Sequence, residues 1–132
     1  MALVWKVDMS DESVDPTREQ IEALAASPDS GPVVMLNLLA FREGGREHYR
    51  SYMAAAKRAL EEVGGRVVLM GKAAQPFIGP PDERWDEVLV VRYPSRAAFL
   101  TMLSLDYYRD ALAHRRNALS RTRLIPVDLE PR

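Results

Sequence analysis

The chain has 132 residues, with 18 Lys and Arg against 19 Asp and Glu for a formal net charge of -1, and 47% of its residues are hydrophobic. That length suits one compact domain, the composition excludes wholesale disorder, and the balanced charge gives no global attraction to nucleic acid or anionic lipid. The absence of cysteine excludes a disulfide framework, a thiol nucleophile and a thiolate metal site. With no signal-peptide pattern and no run of ~20 apolar residues, a cytoplasmic protein that does not enter membranes is the expectation.

Residues 1–32 read as an N-terminal extension with a short helix, and 33–132 as the domain proper. Leu3 to Val7 forms a short strand or an apolar clasp. Asp15-Pro16 has the pattern of a helix start, a capping carboxylate followed by proline in the first turn. Ile21, Leu24 and Ala25 then share a face, and the turn-rich run 27–32 ends the helix. Val33 to Phe41 is an apolar run of strand length. After Gly44-Gly45 the period becomes helical, with Tyr49, Tyr52, Met53, Ala56, Leu60 and Val63 at steps of three and four. Gly64-Gly65 stops that helix and Val67 to Met70 is a second strand.

An irregular, proline-rich stretch, 73–86, leads to a third strand at Val88 to Val91. Ser95 caps a second helical stretch, which bends near Ser104 to Asp106 and continues with Tyr108, Ala111, Leu112, Arg115 and Leu119 on one face. Leu124 to Val127 is the last strand, and Pro126 favours an edge or bulge there. The order β-α-β-β-α-β is the ferredoxin-like α+β arrangement, with both long helices on one face of the sheet.

Both faces of the first strand are apolar, Val33, Met35 and Leu39 on one side and Val34, Leu36 and Leu38 on the other. Helices cover one face only, so the opposite face needs another cover. A second copy of the same sheet is the simplest, giving a homodimer with a barrel-like interior; folding the N-terminal 32 residues over that face is the competing solution.

Several segments resemble the bacterial family called domain of unknown function 1330 (DUF1330). They are Pro32 to Arg42, Gly45-Arg46-Glu47-His48-Tyr49, Gly64 to Val67, Arg92 to Phe99, and the run from Tyr108 through His114-Arg115 to Pro126. The resemblance spans roughly 15–129 and implies the dimeric α/β-barrel superfamily, which includes cofactor-independent oxygenases, haem-degrading oxygenases, muconolactone isomerases and chlorite-decomposing haem enzymes. It implies no settled reaction for this chain.

Candidate catalytic residues are His114, Arg115 and Asn37, and candidate ligand-binding residues are Arg42, Tyr49, Tyr52, Trp85 and Tyr108. Asn37 is an amide inside an apolar strand and needs a hydrogen-bond partner, either a neighbouring strand, loop or buried water, or a ligand oxygen that it polarises. Arg115 lies on the apolar stripe of the last helix and either pairs with Asp86, Glu87 or a helix-end carbonyl, or grips an anionic substrate. His114 is a proton carrier or a plain helix-surface residue. Arg42 ends the first strand, where it meets an anion or forms a surface ion pair. The tyrosines combine a large ring with a hydroxyl, which suits packing and a half-polar pocket equally, and Trp85 closes a loop that is either a lid or a long connection.

No Gly-rich nucleotide motif, GxSxG or HExxH occurs, and two distant histidines without cysteine do not make a zinc site. No metal or cofactor is expected, and no sequence feature asks for haem at His114. The expected protein is thus a homodimer binding an unknown small anionic organic molecule. As an enzyme it would be a cofactor-independent oxygenase or isomerase; the alternatives are a non-catalytic binding or stress-associated module and, ranked lower, a haem-degrading monooxygenase.

Overall fold

The computed structural model describes residues 13–28 and 31–129. The stretch from Leu3 to Val7, expected as a strand or clasp, lies outside the described residues. A short helix α1 (Arg18–Ala26) is followed by β1 (Val33–Phe41), α2 (Gly45–Glu62), β2 (Arg66–Lys72), β3 (Glu87–Tyr93), α3 (Arg96–Ser104), α4 (Asp106–Ala118) and β4 (Leu119–Asp128). The four strands form one sheet in the order β2-β3-β1-β4 with every pairing antiparallel. From β1 onward this is the ferredoxin-like α+β architecture that the sequence predicts.

Local chemistry explains most of the boundaries. Helix α1 begins later than Asp15-Pro16 suggests, because Thr17 is the N-cap: its hydroxyl accepts from Gln20 N–H at 3.1 Å while Gln20 Oε1 accepts from Thr17 N–H at 2.8 Å. That reciprocal pair satisfies two otherwise unpaired donors, which one aspartate further back does not do. Helix α2 stops at Gly64, whose φ of +80° turns the chain left-handed, while Gly65 N–H reaches back to Leu60 O at 2.8 Å. Ser95 Oγ caps α3 by accepting from Ala98 N–H at 3.0 Å. The expected bend occurs at Leu105, which is extended and separates α3 from α4.

In β1 the side chains alternate up to Leu39, with Val33, Met35, Asn37 and Leu39 buried beneath the helices, and the pattern breaks at buried Ala40, where the register with β4 shifts. Leu89, Val91 and Tyr93 of β3 continue that inner face, and Tyr49, Tyr52, Ala56 and Leu60 of α2 pack over it with Tyr108, Ala111 and Ala118 of α4. The other face carries a row across all four strands, Ile125, Leu36, Val90 and Leu69, each opposite the next in register. Ile125 and Leu69 are exposed and the two central residues only half-buried. No described residue of the N-terminal extension covers them, since 13–24 contributes to a cavity on the helix side. No helix among the described residues is long and apolar enough to cross a membrane.

Candidate functional site

A cavity of about 810 Å³ lies between the inner face of the sheet and the helices. Its floor is Met35, Asn37, Leu89 and Val91; α2 and α4 supply Tyr49, Tyr52, Leu60, Tyr108, Leu112 and Arg115; Phe99, Met102 and Leu103 of α3 close one side. Val14, Asp15, Ile21 and Leu24 of the N-terminal segment also line it. The walls are mostly apolar, with polar side chains contributed by the N-terminal segment, the sheet, α2 and α4, Arg109 and Arg116 of α4 among them, the usual make-up of a small-molecule site.

Helical periodicity puts Arg115 there. Tyr108, Ala111, Arg115 and Ala118 are the buried residues of α4, spaced by three and four. Nη1 of Arg115 donates to Val14 O, and Asp15 Oδ1 lies 4.0 Å from it. Asp15 directs its other oxygen to Arg116 Nε at 2.9 Å. Neither Asp86 nor Glu87, the acids considered as partners for Arg115 from the sequence, takes that role. Asp86 accepts from Phe41 N–H at 2.7 Å, and buried Glu87 pairs with Arg46 at 2.6 Å. The remaining Arg115 nitrogens make no hydrogen bond among the described residues.

Beside the guanidinium stand three buried phenols. Tyr52 and Tyr108 share a hydrogen bond of 2.8 Å between their hydroxyls, and the Tyr49 ring packs against Tyr52 at a tilt of 49° with centroids 5.2 Å apart. The Tyr49 hydroxyl makes no hydrogen bond among the described residues. Burial pushes all three phenols above their ordinary value, only partly opposed by the Arg115 charge. They are neutral near pH 7 and act as O–H donors. Because the Tyr52–Tyr108 pair holds two protons and uses one between its members, one O–H remains to be donated.

Asn37 is 9% exposed, and its Nδ2 donates to Leu89 O at 3.1 Å and to Met35 O at 3.3 Å. Backbone carbonyls of its own and the neighbouring strand thus take the nitrogen, and no hydrogen bond to Oδ1 occurs among the described residues.

The cavity gathers Asn37, Tyr49, Tyr52, Tyr108 and Arg115 and leaves out the other candidates. His114, one position from Arg115, is turned away by about 100° of helix and is exposed. Arg42 is exposed and donates Nε to Leu119 O at 2.9 Å, tying the end of β1 to the start of β4. Trp85 is half-buried with Arg121 and Arg123 stacked 4.3 and 5.5 Å from its ring. Those arginines lie opposite Ala40 and Leu38, on the open side of the sheet. Several lining residues are not among the sequence candidates, Tyr93 and Asp15 in particular. Tyr93 follows Leu89 and Val91 at a spacing of two and was legible by strand alternation; Asp15 was read only as a helix cap.

A four-stranded antiparallel sheet with its helices on one face and a cavity between them defines a ferredoxin-like α+β protein. Residues 41–128 match the family described as domain of unknown function (DUF1330), and the chain belongs to that family. It is 37% identical to RPA0582, a protein of unknown function from Rhodopseudomonas palustris, over 89% of this chain and 98% of that one, with a TM-score of 0.82. A protein from Caulobacter crescentus CB15 described as a candidate antibiotic biosynthesis monooxygenase is similar in fold, with a TM-score of 0.60, 13% identity and coverage of 76% and 92%. So is a dimeric ferredoxin-like protein of unknown function from Thermobifida fusca YX, with a TM-score of 0.54, 14% identity and coverage of 75% and 92%. No curated protein matches the chain.

Proposed function

We propose that this protein is a homodimer in which each subunit binds a small, largely apolar organic anion, with Arg115 taking the anionic oxygens. The observation that carries this reading is a guanidinium with side-chain exposure of only 11%, open toward a mostly apolar cavity and flanked by neutral phenols. A cation in that setting is weakly solvated, so an anion that reaches it gains charge-assisted hydrogen bonds at little competition from water. Residues 13–28 act as the cover of the cavity. The dimer is supported by the bare apolar row on the other face, and by the dimeric description of the Thermobifida protein of like fold.

The test is calorimetric titration with 2-naphthoate and its neutral counterpart 2-naphthamide. Wild type prefers the acid, and Arg115→Met lowers acid affinity about 10- to 100-fold, the scale of a lost charged hydrogen bond. An acid that binds no better than the amide, or as well to the variant as to wild type, contradicts the reading.

A second reading, cofactor-independent oxygenation or isomerisation, is favoured by the convergence of Arg115 with the Tyr49 and Tyr52–Tyr108 hydroxyls. Such a donor set stabilises an enolate or phenolate as it forms. His114 lies outside the cavity and has no part in this reading. Oxygen uptake or substrate loss with dihydroxynaphthalenes separates turnover from binding alone.

A further inference from the structure

We infer that the cavity selects organic acids that also carry a hydrogen-bond donor, a hydroxyl or an amine, which it sets against Oδ1 of Asn37. This rests on the anion-binding reading above and adds the second half of the ligand.

Asn37 occupies the middle of the cavity floor, between Leu89 and Leu124 in register. Its orientation is fixed by its neighbours. Both groups that contact Nδ2 are backbone carbonyls, at 3.1 and 3.3 Å. A carbonyl only accepts, so exchanging the amide's nitrogen and oxygen would face lone pairs with lone pairs. The nitrogen is therefore held by the strands, and the group Asn37 leaves for a ligand is its oxygen. The oxygen-polarising role expected of it from the sequence is reversed, because what it presents to the cavity is an acceptor.

No hydrogen bond reaches Oδ1 among the described residues, although the residue is more than nine-tenths buried and lines the cavity. Oδ1 is not sealed off, and a ligand O–H or N–H that reaches it from the cavity meets a free acceptor in a mostly apolar setting. A ligand carbonyl, ether or halogen at the same place would repel. The phenols and Arg115 supply donors for the ligand's anionic end, and Asn37 supplies the complementary acceptor. The ligand class that satisfies both is an apolar frame bearing a carboxylate and, apart from it, a hydroxyl or amino group. Sites that hydrogen-bond a ligand hydroxyl discriminate strongly against analogues that lack it.

Titration of the full chain with 5-, 6- and 7-hydroxy-2-naphthoate, each against its methyl ether, tests the inference. The ether keeps the frame and removes the donor. At least one hydroxy acid is expected to bind about three- to tenfold tighter than its ether. In Asn37→Leu that ratio falls to about one, and in Asn37→Ser, which keeps a small acceptor, it is partly retained. Equal binding of every hydroxy acid and its ether in wild type overturns the inference even if no Asn37 variant folds. A preference undiminished in Asn37→Leu overturns it too, since the tyrosines would then be reading the hydroxyl. Failure of 2-naphthoate itself to bind is a different result, and removes the anion site on which the inference stands.

Discussion

At Arg115 the proposed anion site is already partly satisfied by the chain itself. Asp15 lies 4.0 Å away and neutralises part of the charge a ligand would meet. Asp15→Asn is therefore expected to raise affinity for 2-naphthoate about two- to fivefold, as the screened repulsion between two carboxylates suggests, and titration calorimetry checks it. The shared hydrogen bond of Tyr52 and Tyr108 is buried, so Tyr108→Phe lowers stability to urea by about 0.5–1.5 kcal/mol. Alkali exposes the same cluster. Burial raises the phenols of Tyr49, Tyr52, Tyr93 and Tyr108 above their ordinary value, meaning that the folded state holds these protons more tightly than the unfolded one. Their contribution is fully present below the unfolded value near ~10 and is lost as the pH rises from there toward the folded values. Urea stability is thus flat from pH 7 to 9 and falls above about 10, and absorbance at 295 nm should show most phenols ionising together with unfolding. Phenols that ionise near 10 in the intact fold would contradict the buried cluster.

Among the elements, the start of α2 is the tightest joint. A Cβ on Gly45 would stand 2.2 Å from Ala118 O, a backbone atom at the junction of α4 and β4 that has no room to move. Gly45→Ala is expected to cost about 1–3 kcal/mol in denaturant unfolding. Thr17→Ala breaks the capping box of α1 and should speed amide exchange across 18–26 while leaving the β1 amides unchanged. The elements are legible because each carries its own pattern: unbroken apolar runs in β1 and β3, steps of three and four in α2 and α4, glycine at the end of α2. The same periods placed Tyr49, Tyr52, Tyr108 and Arg115 together on the covered side. His114, next to Arg115, is exposed, since neighbouring helical residues diverge by about 100° and the fold buries only one of the two. What the periods did not reveal was pairing across long sequence gaps. That Arg115 meets Val14 rather than Asp86 or Glu87, and that Asn37 turns its nitrogen to Leu89, depends on three-dimensional register that no single segment encodes.

For the whole molecule, the row Ile125, Leu36, Val90 and Leu69 runs as an apolar band across the open side of the sheet, while the described part of the N-terminal segment covers the opposite side. A charge in the middle of that row, as in Leu36→Asp, should break the proposed dimer without touching the cavity side, and sedimentation velocity reads this directly. Native mass spectrometry of the wild-type chain with 2-naphthoate tests the central claim in one spectrum, because it weighs the assembly and its ligand together. The expected species has twice the 14.9 kDa chain mass and takes up one acid per subunit, the uptake disappearing in Arg115→Met. A particle of single-chain mass, or a dimer that gains no acid, would contradict the account.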